Sequence, residues 1–243
     1  MSWPAAKHLT QRGIAGLRRR VGDRLHPTIV GGPDDAARLS LTYDDGPTPG
    51  VTNLLGDRLA EAGHRATLFV LVPQAEACPA LVRRLLDQGH EVALHGVRHV
   101  AMTKLSSAQV ASDLRDGVER LSRLGAPPRF VRPPYGAQNR RTYGLTRAAG
   151  LKVVGWSHDV RDFDEPDLPT LAGRLDQALV PGAIVLMHDG DGDHPDRPYS
   201  DPQRDLRTGA LAHALAVLAE RGLRSVSVSE LVDGASRTRE WVA

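Results

Sequence analysis
The feature that most constrains this chain is a repeated handover from helix to strand at a glycine. Gly63, Gly89, Gly125, Gly150, Gly182 and Gly222 each follow a stretch of helical periodicity, and each is followed by an apolar, strand-like run. The runs fall at 66–72, 90–95, 129–134, 151–157, 183–189 and 223–231, and a seventh at 37–45 opens the series. Glycine just past a helix end takes the left-handed conformation without a Cβ clash, and short helix-to-strand loops use it for that reason. Strands alternating with helices imply a parallel sheet covered by helices. No Gly-rich phosphate loop follows the first strand, where DDGPTPG stands, so a nucleotide-binding open sheet loses support and a barrel is favoured. The glycines lie 25 to 40 residues apart, too unevenly for a solenoid.

The expected organisation is one α/β domain over residues 36–235, preceded by a basic segment at 1–35 and followed by a tail at 236–243. Within it, Val110, Leu114, Val118 and Leu121 share one face of a helix headed by the capping-box pair Ser106 and Gln109. Thr48 before Pro49 reads as the N-cap of another helix.

Composition removes several classes. With 243 residues, a core needs no disulfide scaffold. Cys78 is the single cysteine, which excludes an intrachain disulfide and a thiolate-rich zinc site. A net charge of +2 and 4% aromatic residues give no footprint for nucleic acid. No run of 18 apolar residues exists, so no transmembrane helix is expected. Arginines interrupt the N-terminus, which lacks the apolar stretch of a signal peptide, and a cytoplasmic protein is expected. Ile14, Leu17, Val21 and Leu25 recur at helical spacing among Lys7, Arg12, Arg18, Arg19, Arg20 and Arg24. That segment reads as a helix packed on the domain or a frayed tail, with a membrane-surface helix as the competing reading.

Polar residues gather where five of the strands end. Asp44 and Asp45 end the first run, His95 ends the third with His99 four residues later, and Arg132 stands at the end of the fourth. Asp159 and Asp162 follow the fifth, and His188 and Asp189 end the sixth. The C-terminal ends of barrel strands carry active sites, so these groups should converge on one pocket. His95 and His99 have the spacing that puts two imidazoles on one face of a helical turn. With one carboxylate they make a metal site with open positions. Alternation along a strand would let one of Asp44 and Asp45 bind metal while the other faces a reacting water. Such a site suits hydrolysis by metal-activated water or a non-haem iron oxygenase. An arginine for the carboxylate and a His–Asp pair for acid–base work favour hydrolysis.

The five clusters, in order, resemble the motifs of the polysaccharide deacetylase family (NodB-homology domains, carbohydrate esterase family 4). They are Thr42-Tyr43-Asp44-Asp45-Gly46-Pro47, His95-Gly96-Val97-Arg98-His99, Arg132-Pro133-Pro134-Tyr135, the stretch Trp156 to Phe163, and Leu186-Met187-His188. The resemblance covers residues 36–232 and implies an irregular (β/α)7 barrel that removes an acyl group, usually acetyl, from an N-acylated amino sugar, oligosaccharide or small metabolite. By that resemblance Asp45, His95 and His99 bind a divalent ion, zinc first, with cobalt, nickel or manganese as alternatives. Asp44 is then the base and Arg132 keeps it ionised. His188, oriented by Asp162, protonates the leaving amine. The Tyr135 backbone N–H supports the oxyanion, and Leu186 and Trp156 line the acyl slot.

The chain departs from the family pattern at Tyr43 (usually Phe), Gly96 (usually Ser or Thr) and Phe163 (usually Trp). The stretch from Asp189 to Gly209 reads as a long loop, a lid or specificity loop over the pocket. A hydrolase of another C–N bond, such as a formamide or cyclic amide, and a non-catalytic barrel module are the competing readings.

Overall fold
The structure is a computed structural model that describes residues 26–34, 37–164, 166–192 and 199–240. The basic amphipathic stretch expected before residue 26 lies outside the described residues. Strands are β1 (Pro27–Gly31), β2 (Arg38–Asp44), β3 (Ala66–Leu71), β4 (Glu91–Gly96), β5 (Phe130–Val131), β6 (Lys152–Val153), β7 (His158–Asp159), β8 (Ile184–His188), β9 (Arg224–Ser225) and β10 (Arg237–Glu240). The helices are α1 (Thr52–Glu61), α2 (Val72–Ala77), α3 (Pro79–Asp87), α4 (Ser107–Arg123), α5 (Arg140–Ala148), α6 (Leu168–Ala178), α7 (Asp201–Glu220) and α8 (Val228–Leu231).

One curled parallel sheet runs β6-β5-β4-β3-β2-β8-β7, and β9 adds to the start of β2. Helices cover its outside, which is the architecture of an irregular (β/α)7 barrel in one domain. Strand alternation divides the sheet's two faces. Leu39, Leu41 and Tyr43 of β2, Leu68 and Val70 of β3, Val92 and Leu94 of β4, and Val185 and Met187 of β8 pack outward into the large core shared with the helices. Phe69, Ala93, Phe130, Val154 and Ile184 form a second, interior core with Ile29, Val226, Val228 and Leu231. Counting by twos along the inward face, Ser40 leads to Thr42 and Asp44, Ala93 to His95, Phe130 to Arg132, and Ile184 to Leu186 and His188. The barrel interior is therefore apolar midway and ionisable at its C-terminal mouth.

The six glycines behave as expected. Their φ values are +75° (Gly63), +82° (Gly89), +81° (Gly125), +80° (Gly150), +72° (Gly182) and +62° (Gly222). Ser106 and Gln109 form the capping box of α4. Thr48 does not cap α1, which begins at Thr52 after a turn. The Thr48 N–H instead donates to Thr52 Oγ1 at 2.7 Å, so the polar group that holds the turn comes from inside the helix.

Both flanking segments contribute to the fold. Residues 27–31 and 237–240, expected outside the domain, pair as antiparallel strands β1 and β10. Ile29 bridges to Val154 and Gly31 to Ala183, so β1 spans from the β6 side to the foot of β8. The stretch 189–209 is also shorter as a loop than expected, because α7 starts at Asp201. The Ser200 N–H donates to Gln203 Oε1 at 2.9 Å, a helix start written in the sequence as Ser-Asp-Pro-Gln. No helix among the described residues is long and apolar enough to cross a membrane.

Two substitutions separate the glycine roles. Gly125 has φ +81° and open space where a Cβ would go. Gly125→Ala should therefore lose about 1–2 kcal/mol by backbone strain alone. Gly173 lies inside α6 with equally open space, so Gly173→Ala should gain about 0.5–1 kcal/mol. Urea unfolding of both variants checks the opposite signs.

Candidate active site
The inward-facing residues at the strand ends meet in one cavity of about 510 Å³. Its lining includes Asp44, Asp45, His95, His99, Tyr135, Trp156, Leu186 and His188. Arg132 and Asp162 stand behind that lining, both buried.

Asp44 ends β2, and Asp45 leaves the strand with φ +76°. Both carboxylates face the same cavity because of that left-handed step. The expectation that strand alternation separates them is corrected: alternation ends at Asp44. His95 and His99 do meet, but on no helical turn. His95 belongs to β4, and His99 follows in a bend after Gly96. Their rings stack with centroids 5.4 Å apart. A Cβ at Gly96 would meet Arg98 O at 2.8 Å, so this bend has no room for the Ser or Thr usual in the family.

One ligand atom from each of Asp45, His95 and His99 lies within 4.8 Å of the others. Asp45 Oδ1 is 3.1 Å from His95 Nε2 and 3.3 Å from His99 Nε2. Tetrahedral ligands at metal–donor distances of about 2.0–2.1 Å stand about 3.3 Å apart, so these three fit a zinc-sized cation. Asp45 Oδ1 is buried and makes no well-formed hydrogen bond. Burial would raise the Asp45 pKa, but His95, His188 and His99 outweigh it and bring it to about 2. Burial would likewise depress the His95 imidazolium, and Asp44 and Asp45 overcome it to raise its pKa. The Asp45 carboxylate and its neighbour Asp44 thus favour positive charge at this place.

On one side of this trio lies a buried ion pair. Arg132 Nη1 donates to Asp44 Oδ1 at 2.7 Å and to Thr42 Oγ1 at 2.9 Å, and Nη2 donates to Gly155 O at 2.9 Å. Its guanidinium centre sits 4.0 Å from the centroid of the Phe69 ring. Asp44 Oδ2 is left toward the ligand trio, 3.8 Å from His95 Nδ1.

On the other side, His188 Nδ1 is 2.7 Å from Asp162 Oδ1, and the His188 backbone N–H donates to Asp162 Oδ2 at 2.8 Å. Burial depresses the His188 imidazolium, but Asp162, Asp44 and Asp45 outweigh it and lift its pKa to about 9. Asp162 is itself buried, yet His188 and Arg207 hold its carboxyl below the usual range. With Nδ1 engaged, Nε2 is the ring nitrogen that serves the cavity. Phe163 meets the His188 ring edge-on at 5.6 Å, in the place where the family usually has Trp.

Tyr135 occupies a tight turn with φ +60°, its ring 4.4 Å from that of His99 and its side chain exposed. Leu186 is buried under the cavity, and Trp156 joins the interior core while lining the same wall. The Tyr43 hydroxyl, absent where Phe is usual, is buried on the helix side and makes no hydrogen bond.

Sequence reasoning gave no role to Gly192, Arg207 or Tyr199, and Asp189, expected to converge on the pocket, stands outside its lining. Gly192 passes so close to the metal trio that a Cβ would lie 2.7 Å from Asp45 Oδ1 and from the His99 ring. Asp189 is fully buried, accepts a 2.5 Å hydrogen bond from Thr52 Oγ1, and has a pKa raised to about 7 by burial. Arg207 and Tyr199 line the cavity from α7 and the residues before it. The signal for Arg207 was available: it shares a helical stripe with Ala210, Leu211 and Ala214, all buried, where a charge is out of place.

Comparison with known proteins agrees with this geometry. Residues 31–154 match the polysaccharide deacetylase family. A chitooligosaccharide deacetylase of Bradyrhizobium sp. (strain ANU 289) is 35% identical over 186 residues, which is 75% of this chain and 84% of that protein. The crystal structure of a peptidoglycan N-acetylglucosamine deacetylase in complex with 4-naphthalen-1-yl-N-oxidanyl-benzamide superposes with a TM-score of 0.76 at 26% identity, covering 86% of this chain and 94% of that one. A family pseudoenzyme from Bacillus anthracis shares the fold at a TM-score of 0.74 and 21% identity, with 88% of this chain and 71% of that one covered. That last likeness carries architecture alone, whereas the family match over residues 31–154 and the 35% identity to the chitooligosaccharide deacetylase show that the chain belongs to the polysaccharide deacetylase family.

Proposed function
We propose that the protein is a metal-dependent hydrolase that removes N-acetyl groups from amino sugars, with short acetylated oligosaccharides or sugar precursors as substrates. The observation that carries this reading is the three-part cavity: a ligand trio flanked by a buried carboxylate–guanidinium pair and a buried carboxylate–imidazole pair. By their names, one relative deacetylates chitooligosaccharides and another peptidoglycan N-acetylglucosamine, which supports the substrate class. The aromatic side chains of Tyr135 and Phe163 stand exposed at the cavity. They give a sugar ring apolar faces to lie against.

Asp45, His95 and His99 would hold the cation, and zinc suits one carboxylate and two imidazoles. Bound there, it supplies Lewis acidity toward water and an amide carbonyl. The chain's own groups divide the proton work. Asp44, with Oδ1 fixed by Arg132, takes a proton from the attacking water through Oδ2. The Tyr135 N–H faces the developing oxyanion. His188, protonated at Nε2 and held through Nδ1 by Asp162, gives a proton to the leaving nitrogen as the C–N bond breaks. Acetate and a free amine result. An oxygenase has no use for this acid–base set.

Incubating zinc-loaded protein with acetylated glucosamine oligomers should release equal amounts of acetate and free amine; release of neither across a panel of acetylated sugars would refute the assignment. Chelation should abolish turnover and zinc should restore it, with metal content following activity. Asp44→Asn should lower kcat by about 10²–10⁴-fold, the usual range for a lost general base, while bound metal stays near one ion per chain. The pH profile follows His188. Its acid form is the active one, so activity should fall as pH rises through the raised pKa. Asp162→Asn removes the main group that raises it and should move this alkaline limb down by about one unit or more.

A further inference from the structure
Arg207 has no part in the chemistry above, yet it touches that chemistry's supporting carboxylate. It lies on α7 with 6% of its surface exposed, and its Nε is 3.4 Å from Asp162 Oδ2. A buried guanidinium is costly unless a carboxylate answers it. Other arginines on the helices show what a fastening role looks like. Arg174 donates to the carbonyls of Val160 and Arg161, and Arg221 to those of Asp176 and Leu179. Arg207 Nε and Nη1 make no hydrogen bond, so the 3.4 Å approach of Nε to Asp162 is a buried charge contact. Its guanidinium centre instead stands 5.3 Å from the centroid of the Tyr199 ring, and the Tyr199 hydroxyl is tied to Gly190 O at 2.5 Å.

Asp162 needs support from outside its own segment. It opens a single 3-10 turn, Asp162–Asp164, just after Arg161 at φ +53°, off the sheet ladder. We propose that Arg207 is a positioning residue for the proton donor: by clamping Asp162 from α7, it fixes the His188 imidazole toward the leaving nitrogen. The pairing is a looser counterpart of the other side of the cavity, where Arg132 donates a 2.7 Å hydrogen bond to Asp44. Each carboxylate of the acid–base set then has its own buried guanidinium. This inference rests on His188 being the proton donor, as read above.

The test uses substrates that differ in their need for a proton. An N-acetyl amino sugar must receive one on nitrogen; 4-nitrophenyl acetate releases a phenolate that leaves without one. With zinc-loaded protein, Arg207→Met should lose at least tenfold more kcat on the amide than on the ester, with KM and metal content within threefold of the parent. Arg207→Lys should recover most of the amide rate. Asp162→Asn combined with Arg207→Met should fall no further than Asp162→Asn alone, because groups acting through one another are not additive. Equal losses on both substrates, or additive losses in the double variant, would overturn the role. Should Arg207→Met fail to fold, Arg207→Gln carries the same comparison. An arm independent of turnover uses proton NMR: the downfield His188 Nδ1–H signal, assigned by its loss in His188→Asn, should weaken or shift in Arg207→Met, and an unchanged signal would refute the clamp. If the parent released no acetate from any acetylated sugar, the deacetylase reading would fail while this NMR result still judged Arg207.

Discussion

The site depends first on a guanidinium with no access to solvent. Arg132 is 0% exposed, inside a barrel whose neighbouring inward residues are Phe69 and Phe130. It is held there by Asp44, Thr42 and the Gly155 carbonyl, and so ties the end of β2 to the segment after β6. Breaking one member of a buried pair is severe, of the order of 3–5 kcal/mol, because it leaves an uncompensated charge. The pair therefore does two jobs. It sets where the Asp44 carboxylate points, and it makes the barrel mouth cohere around that carboxylate. Substitutions of Arg132 will consequently mix stability with chemistry, and Asp44→Asn, which keeps the shape and an acceptor, still leaves the guanidinium charge uncompensated and will also lower stability.

The interior is built by the same alternation that makes the strands. Outward residues feed the helix-covered core, and inward residues run from an apolar middle to a polar mouth. The cavity is thus no separate invention laid on a scaffold. It is the place where the inward series stops being apolar, with connecting segments adding His99, Tyr135 and the Gly190–Gly192 stretch to the lining and Asp162 behind it. Short-range chain geometry then does what alternation cannot, as at Asp45 and Tyr135, both left-handed.

Much of this was legible in the sequence because the relevant signals are local. Glycine after each helix marked the strand starts, and polar clusters where the strands end marked the barrel mouth. The HxxxH spacing named the right pair for the wrong reason: proximity follows from a strand exit and a bend, which spacing alone does not distinguish from a helical turn. The pairing of β1 with β10 was illegible, since contact between residues 27–31 and 237–240 depends on the whole barrel intervening. Arg207 was hidden by the misread start of α7. Once Ser200 is seen as the cap, Arg207 falls on the buried stripe and becomes conspicuous.

The left-handed backbone at Asp45 narrows what the chain can place there. Asparagine and aspartate enter that region more readily than other side-chain-bearing residues. Evolution must therefore satisfy a conformational filter and a coordination filter at one position, and few residue types pass both. Glutamate offers the same charge with an extra methylene and a poorer fit to the backbone. Alanine scanning at this site would conflate a lost donor with a distorted turn, and asparagine is the substitution that keeps the two effects apart.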